Sequence, residues 1–351
     1  MHTYPSRFFE SITAGSRLSA QEIVPLVLKL VQPRSVVDVG CGLGTWLSVF
    51  KEHGVDEILG IDGDYVDRSK LEIPEERYLA FDLKTPLRMS RKFDLVVSLE
   101  VAEHLPEECA RIFVDSLTRL GPVILFSAAI PFQGGTRHLN EQWPEYWREY
   151  FQEKEYVAVD CLRRQIWRNE NVEWWYAQNT LMFVRRGHLE RCPSLKGKSE
   201  NTAFSQLSIV HPKKYLEEIE WRQGLYQMSQ AIAALIPPDE AFILVDQDRF
   251  GGMATAGRRA IPFLERDGQN WGAPPDDATA ISELERLRRS GASFVVFAWP
   301  AFWWLDHYVE LREHLRSKFR CVMENDLLVA FDLRARAGML KPSKCSGVGD
   351  E

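Results

Sequence analysis

The chain has 351 residues, of which 45% are hydrophobic, and this is enough for two ordinary domains with real cores. A formal net charge of -7 excludes a large nonspecific nucleic-acid surface, because such a surface needs clustered Lys and Arg in excess. The six cysteines are scattered without CxxC spacing, so they indicate neither a disulfide framework nor a structural zinc site. We interpret them as reduced thiols of a cytoplasmic protein.

The N-terminal stretch MHTYPSRFFESITAG lacks the apolar core and the cleavage site of a secretion signal. The longest apolar run, FVVFAWPAFWWL, is broken by Pro300 and is shorter than the roughly 20 residues that a spanning helix needs. We therefore expect a soluble protein with no membrane-spanning segment and no nucleic-acid partner.

The first part of the chain alternates strands with helices. Ser19 and Glu22 form a capping box that predicts the start of a helix leading to the strand SVVDV. A glycine turn and an amphipathic helix over about 43 to 53 follow, and then the strands EILGID, RYLAFDL and FDLVVSL. Pro106 opens the next helix and Gly121 ends it before a fifth strand, PVILFSA. Parallel α/β structure follows from this alternation.

Two further candidate strands, EYVAVDCL and WYAQNTLMFV, are separated by a short polar piece and should pair as an antiparallel hairpin. They complete a Rossmann-like seven-stranded sheet. We predict this first domain over residues 1–186, a polar linker and a long helix over 187–237, a smaller α/β accessory domain over 238–335, and a frayed tail over 336–351. The strands of the accessory domain are AFILVDQ, SFVVFAW and LLVAFDL.

The segment SVVDVGCGLGTWL places a glycine-rich turn between a strand and a helix, where free backbone amides can meet a ligand. A dinucleotide fingerprint requires glycine at the first, third and sixth positions. The sixth position counted from Gly40 is Thr45, so that pattern fails.

The pattern DVGCGLG resembles that of the class I S-adenosylmethionine-dependent methyltransferases, and the resemblance extends over roughly residues 7 to 185. It implies S-adenosylmethionine as the cofactor and assigns the following contacts. The methionine part would meet Asp38, Gly40, Gly42 and Gly44, the ribose hydroxyls Asp62, and the adenine amine Asp82. These residues follow successive strands, so they should line one crevice at the carboxyl edge of the sheet.

The segment SLEVAEHLP resembles the fourth motif of the same family, which implies that Glu100 lies beside the cofactor and that Glu103 and His104 start the next helix. The segment SAAIPFQGGTRHLNEQWPEYWREYF resembles methyltransferases encoded beside glycosyltransferases in polysaccharide clusters. A sugar hydroxyl needs a base, and we predict His138 as the first candidate and His104 as the second. With Glu103 they form the predicted catalytic set.

Other polar and aromatic residues have weaker claims to a role. Glu100, Glu103, His138 and Glu141 could together hold a divalent ion, but no single element carries ligand spacing, so we predict no metal site. Trp143 suits the apolar face of a pyranose. Gln178 and Asn179, on the predicted last strand, are interpreted as structural. In the accessory domain, VDQDRFGG and WPAFWWLDHY could bind a sugar or a nucleotide or could simply be structural.

The sequence thus predicts methyl transfer from S-adenosylmethionine to a hydroxyl, on a sugar of a polysaccharide or its precursor, with an accessory domain that helps select a small-molecule or glycan acceptor. The resemblance adds glycosyltransferases of the same pathway as candidate partners. Two alternatives remain: an enzyme that uses a nucleotide-sugar or dinucleotide in the same crevice, and a non-catalytic binding or scaffold protein in glycan assembly.

Overall fold

The computed structural model describes residues 6–250 and 255–336, with side chains described for 15–250 and 255–334. Contacts divide the chain into two compact units, with the boundary along the chain between Tyr215 and Leu216. Among the described residues, no helix is long and apolar enough to cross a membrane.

The N-terminal unit contains seven strands and seven helices among its described residues, and an eighth helix begins in it. The strands are β1 (Ser35–Val39), β2 (Glu57–Asp62), β3 (Tyr78–Ala80), β4 (Leu95–Leu99), β5 (Val123–Ser127), β6 (Tyr156–Val159) and β7 (Leu181–Arg185). The helices are α1 (Ser6–Val31), α2 (Thr45–Glu52), α3 (Ala110–Leu120), α4 (Pro144–Glu153), α5 (Arg163–Ile166), α6 (Trp174–Asn179), α7 (Pro193–Glu200) and α8 (Pro212–Leu235), the last of which crosses the boundary.

The seven strands form one sheet in the order β3-β2-β1-β4-β5-β7-β6. Strands β1 to β5 run parallel, whereas β7 pairs antiparallel with both β5 and β6. This arrangement confirms the predicted Rossmann-like sheet with an antiparallel closing pair. The carboxyl ends of β2, β1 and β4 are adjacent, so the residues that follow these strands meet at one edge.

The sheet is covered on both faces, which explains why its central strands are apolar without alternation. Val36 and Leu95 belong to the core under α1 and α2, while Val37 and Val96 belong to the core under α3 and α4. Neighbouring residues on one strand therefore pack into opposite layers.

Two local predictions differ from the structure. Ser19 does not cap a helix: α1 begins earlier, and the Ser19 hydroxyl donates to the carbonyl of Gly15 at 2.8 Å and accepts from the amide of Glu173 at 3.0 Å. The predicted strand WYAQNTLMFV is α6 followed by β7. Gln178 and Asn179 therefore end a buried helix and do not lie on a strand.

The polar stretch after β7 packs into the N-terminal unit. Helix α7 places Leu195 in the core beneath α1, and Leu207 is buried in the opposite core. Arg163, only 1% exposed, donates to the carbonyls of Leu207 at 2.7 Å and Gln178 at 3.1 Å and pairs with Asp160 at 2.7 Å. Residues 187–211, for which the sequence suggests a linker, are thus held by buried contacts.

The C-terminal unit contains most of α8 and a five-stranded sheet in the order β13-β14-β12-β8-β9. Its strands are β8 (Ala241–Val245), β9 (Arg259–Pro262), β10 (Glu265–Arg266), β11 (Gln269–Asn270), β12 (Ala292–Ala298), β13 (Phe319–Glu324) and β14 (Leu328–Arg336). Its other helices are α9 (Asp277–Arg289), α10 (Trp303–His307) and α11 (Val309–Lys318). Strands β8, β9 and β12 are parallel, and β14 and β13 add antiparallel pairs. The sequence predicted β8, β12 and β14 and missed β9, β13 and the short antiparallel pair of β10 and β11.

Arg163→Met should destabilise the N-terminal unit. The change removes a buried cation and leaves two buried carbonyls and Asp160 without their donor, a loss of about 3 kcal/mol in the free energy of unfolding. Urea denaturation of the full chain measures it. Arg164→Met, at the exposed neighbouring position, is the control and should change stability by less than about 0.5 kcal/mol; equal effects would show that the buried contacts of Arg163 are unimportant.

Candidate functional site

The turn between β1 and α2 has three glycines in left-handed backbone conformations, with φ of 88° at Gly40, 53° at Gly42 and 83° at Gly44. A Cβ at Gly40 would come within 2.3 Å of Val101, and one at Gly44 within 2.8 Å of Ile73. A Cβ at Gly42 would meet nothing within 4 Å. Two glycines therefore permit close packing, and Gly42 alone faces open space, where a ligand could approach the backbone.

Asp62 ends β2 and fixes this turn. Its carboxylate accepts from the amide of Gly42 at 2.7 Å, from the amide of Gly63 at 2.6 Å and from the hydroxyl of Tyr65 at 2.5 Å. The side chain is buried, whereas Tyr65 is 85% exposed. The hydroxyl of Tyr65 thus occupies one acceptor position of a carboxylate whose other two contacts are backbone amides.

Asp38 lies beside Asp62 on the neighbouring strand, opposite Gly60 in the register. It is 3% exposed, and burial, followed by the nearby charge of Asp62, raises its pKa well above the usual range of an aspartate. A buried carboxyl of this kind is a natural counterion for a bound cation.

Thr45 occupies the position where a dinucleotide fingerprint requires glycine. Its hydroxyl donates to Glu72 at 2.7 Å, and Glu72 also accepts from Arg17. The side chain of Thr45 is thus built into the first turn of α2, which is consistent with the failed dinucleotide pattern.

Asp82, predicted to face the adenine amine, follows β3 and is exposed. Its Oδ1 accepts from the amide of Lys84 at 3.0 Å, and its carbonyl accepts from the amide of Thr85 at 3.0 Å. Asp82 therefore stabilises a turn near the end of β3, and its contact with a cofactor stays a prediction.

Glu100 follows β4 in a left-handed conformation with φ of 54°. Its carboxylate accepts from Gln133 at 3.0 Å and from Asn179 at 3.1 Å, and burial raises its pKa. Gln178 donates to Gln133 at 3.2 Å, which extends the buried network. Gln178 and Asn179 thus have the hydrogen-bond partners that buried polar side chains need. Asn179 donates to Glu100 directly, and Gln178 is linked to Glu100 through Gln133.

Glu103, His104 and His138 lie together beyond Glu100. One ligand-type atom from each side chain lies within 4.8 Å of the corresponding atoms of the other two. Glu103 is fully buried, and burial, followed by the charge of Glu100, raises its pKa well above the usual range of a glutamate. The rings of His104 and His138 meet edge to face with centroids 4.9 Å apart. Desolvation, with a smaller contribution from His138, lowers the pKa of His104.

The loop after β5 is organised by Glu141. Its carboxylate accepts from the amides of Phe132 at 2.7 Å and Gly134 at 2.9 Å and contacts Nδ1 of His138 at 2.8 Å. Phe132 and Trp143 are 86% and 39% exposed. The loop thus joins Glu141 to His138 of the predicted catalytic set, and it also carries two exposed aromatic side chains.

The structure shows contacts that sequence reasoning missed. Gln133 contacts the predicted site residue Glu100, and Glu72 contacts Thr45, but no local pattern marks either residue, because its partner is distant in the chain. Tyr65 lies only three residues after its partner Asp62, in the segment GIDGDY, so its contact was within reach of sequence reasoning. In the C-terminal unit, Asp246 accepts from the amides of Asp248 and Phe250, so it caps its own loop. Its two following glycines, at 251 and 252, lie outside the described residues.

In the other candidate segment of the C-terminal unit, Trp304 is buried in the core, and Asp306 is 89% exposed. His307 lies at the end of α10 and contacts Tyr308 edge to face. Among the contacts described here, none gathers the polar residues of this segment into a site comparable to the crevice of the N-terminal unit.

The N-terminal unit is thus an α/β domain whose predicted site residues follow strands β1, β2, β3 and β4. Residues 14–179, slightly less than half of the chain, match a family described as a methyltransferase domain. This match supports a methyltransferase domain in the N-terminal unit and S-adenosylmethionine as its cofactor. The comparison with curated proteins gave no match.

Solved structures similar to this chain include three methyltransferases. The methyltransferase domain of bacterial CtHen1-CN is 22% identical, with a TM-score of 0.34, over 47% of this chain and 96% of that one. Magnesium protoporphyrin IX methyltransferase from Synechocystis, with bound SAH, is 17% identical, with a TM-score of 0.37, over 53% and 90%. The plantazolicin methyltransferase BpumL, in complex with a pentazolic desmethylPZN analogue and SAH, is 14% identical, with a TM-score of 0.39, over 51% of this chain and 88% of that one.

Alanine at Gly40 and at Gly42 should have different effects. Both changes force a left-handed residue, at about 1 to 2 kcal/mol, but only Gly40→Ala also collides with Val101, which adds about 1 to 3 kcal/mol. Urea denaturation of both variants measures the difference. Equal losses of stability would contradict the distinction between a packing glycine and a ligand-facing one.

Proposed function

We propose that the N-terminal unit is an S-adenosylmethionine-dependent methyltransferase that methylates a hydroxyl group, on a sugar of a polysaccharide or its precursor. The observation that carries the proposal is the glycine turn fixed by Asp62. This turn leaves the backbone at Gly42 facing open space, and it follows the strand that carries the buried carboxyl of Asp38. The match of residues 14–179 to a methyltransferase domain supports it.

The residues of the crevice fit the parts of this cofactor. Asp62 would accept from the ribose hydroxyls once Tyr65 has moved, and Asp38 would offset the positive charge of the methionine part. Gly40 and Gly44 would shape the turn, and Gly42 would let the ligand approach. Asp82 remains the proposed contact for the adenine amine. Glu100 remains the residue proposed to lie beside the bound cofactor.

The bound cofactor would supply a methyl group on a positively charged sulfur. In the transfer, an acceptor oxygen would form a bond to the methyl carbon, the carbon–sulfur bond would break with its electrons staying on sulfur, and the hydroxyl proton would pass to an imidazole nitrogen of His138 or, as the second candidate, of His104. The chain must hold the acceptor oxygen about 3 to 3.5 Å from the methyl carbon and exclude water. We propose that His138, His104 and Glu103 act on the hydroxyl.

The loop after β5 supports an acceptor that carries both hydroxyls and an apolar face. His138 and Glu141 offer polar atoms, and the partly exposed indole of Trp143 lies on the same loop. A sugar combines these two surfaces. The C-terminal unit as an acceptor-selecting domain, and glycosyltransferases as partners, are further parts of this proposal that rest on the sequence resemblance.

Titration with S-adenosylhomocysteine tests the cofactor half of the proposal. The purified chain should bind it, and Asp62→Asn should bind at least tenfold more weakly, because charge-assisted hydrogen bonds are worth about 1.5 to 3 kcal/mol each. Calorimetry measures both affinities. No binding by the unchanged chain, or binding of NADH in its place, would reject the proposal.

Two further variants make that comparison specific. Asp64→Asn removes the same charge from an exposed neighbour and should leave the affinity unchanged. Tyr65→Phe removes only the hydroxyl that competes for Asp62, so it should bind S-adenosylhomocysteine at least as tightly as the unchanged chain. Weak binding by both would show general damage to the turn and not the loss of one carboxylate.

Binding of the cofactor should depend on pH through Asp38. Burial raises the pKa of the empty carboxyl, and the ammonium group of the ligand should lower it, so binding releases a proton between the two values. Affinity for S-adenosylhomocysteine should therefore rise with pH by up to about tenfold per unit, until the raised pKa is passed.

Calorimetry over a pH series below the pKa of the ligand's ammonium group measures this dependence. In Asp38→Asn most of the rise should disappear, because the substituted side chain does not titrate. A rise of the same size in the variant, or affinity that falls with pH in the unchanged chain, would contradict the role of Asp38.

A further inference from the structure

Three side chains from two separate segments converge beyond Glu100. Glu103 and His104 form a short helical turn after β4, and His138 comes from the loop after β5. The group offers one carboxylate oxygen and two imidazole nitrogens, all within 4.8 Å of one another. Such a set can bind a cation, or its members can act separately as acids and bases. The hydrogen bonds that each side chain makes or lacks favour one of these two uses.

Glu103 is the member whose position needs an explanation. Its side chain is 0% exposed, and neither carboxyl oxygen has a hydrogen-bond partner among the described residues. Glu100, close by, shows the contrast, because its carboxylate accepts from the amides of Gln133 and Asn179. A buried carboxyl without donors is costly, and a coordinated cation is one partner that would satisfy both of its oxygens.

Each of the two histidines uses its Nδ1 atom for a contact with an oxygen of the loop after β5. Nδ1 of His138 lies 2.8 Å from the Glu141 carboxylate, and Nδ1 of His104 lies 3.4 Å from the carbonyl of Arg137. A carbonyl or carboxylate oxygen accepts, so these contacts favour the proton on Nδ1, and in the neutral ring they leave the lone pair of Nε2 for a ligand. Metal-binding histidines commonly donate their other nitrogen to a carboxylate or a carbonyl in this way.

The backbone fixes the spacing of the three groups. The carbonyl of Glu103 accepts from the amides of Leu139 at 2.7 Å and Asn140 at 3.0 Å, which ties the loop of His138 to the turn of Glu103. Glu141 holds the other end of the loop through Phe132 and Gly134. The cluster is therefore built into the fold and does not depend on one flexible side chain.

We propose that Glu103, His104 and His138 bind one divalent transition-metal ion. Two imidazoles and one carboxylate favour ions such as Mn²⁺, Co²⁺ or Zn²⁺ over Mg²⁺ and Ca²⁺, which prefer sites made of oxygen. With metal–ligand bonds of about 2.0 to 2.2 Å, ligand atoms lie about 3 to 3.5 Å apart, so the cluster contracts when it binds the ion.

The role of the ion rests on the proposed function. Three protein ligands leave coordination positions open, and an acceptor hydroxyl that occupies one of them loses its proton more easily. The proton passes to water, the oxygen forms its bond to the methyl carbon, and the electrons of the carbon–sulfur bond remain on sulfur. His138 is then a ligand, and the hydroxyl needs no free imidazole base.

Metal binding can be measured without any acceptor or cofactor. The full chain, freed of metal with a chelator, is titrated with Mn²⁺, and the free ion is counted by electron paramagnetic resonance. We expect one tight site per chain and clearly weaker competition by Mg²⁺. Failure to bind Mn²⁺ would overturn the proposal, and so would several weak sites without a tight one.

Substitutions identify the ligands. Glu103→Gln and His138→Gln should each weaken Mn²⁺ binding at least tenfold, whereas His53→Gln, an exposed histidine at the end of α2, should not change it. Glu141→Gln should produce an intermediate loss, because Glu141 positions His138 and does not reach the ion. Unchanged Mn²⁺ affinity in both ligand variants would place the metal elsewhere and reject the site.

Two checks separate this proposal from the proposed function. Each variant should retain its circular dichroism spectrum and its affinity for S-adenosylhomocysteine, because the ligand cluster is not part of the turn fixed by Asp62. A chain that binds the cofactor product but no Mn²⁺ would keep the methyltransferase proposal and reject the metal site. A chain that binds Mn²⁺ but not S-adenosylhomocysteine would do the reverse.

Discussion

The hydrogen bond from the amide of Gly42 to the carboxylate of Asp62 joins the ends of two neighbouring parallel strands. It holds the glycine turn in left-handed conformations that other residues rarely adopt, and its acceptor is the buried carboxylate of Asp62. The helix α2 then starts at Thr45 with its free amides near the same edge. The amides of Gly40 and Cys41 also donate to the carbonyl of Ile61, at 2.7 Å and 3.3 Å, so the turn is tied to the end of β2 by its backbone as well as by the Asp62 side chain.

The same edge of the sheet concentrates buried acids, and their surroundings separate their roles. Asp62 accepts from two amides and a hydroxyl, and Glu100 accepts from two side-chain amides. Asp38 and Glu103 are buried, and burial raises the pKa of both; among the described residues, neither carboxyl oxygen of Glu103 has a hydrogen-bond partner. Asp62 and Glu100 are therefore held by hydrogen bonds without any ligand. A positive group near Asp38, and another near Glu103, would stabilise these two buried carboxyls in their charged form.

The sequence was most informative where buried strands end in turns. Strands β1, β2 and β4 could be predicted because short apolar runs are followed by Gly or an acid, and the crevice residues follow from those ends. Helix α6 was wrongly assigned to a strand, because a short apolar and aromatic run has no clear period. Ser19 was misread as a cap, although its hydroxyl bonds within a longer helix. The network of Gln133 could not be predicted, since its partners meet only in the fold.

The loop after β5, which carries His138, has an irregular backbone that hydrogen bonds hold in place. Phe132 and Arg137 both have positive φ, at 65° and 62°, and each such conformation costs of order 1 kcal/mol. The carboxylate of Glu141 and the carbonyl of Glu103 each accept from two loop amides, and these bonds offset that cost. The same bonds tie the loop of His138 to the turn of Glu103, so the two strained positions lie in the segment that completes the cluster of Glu103, His104 and His138.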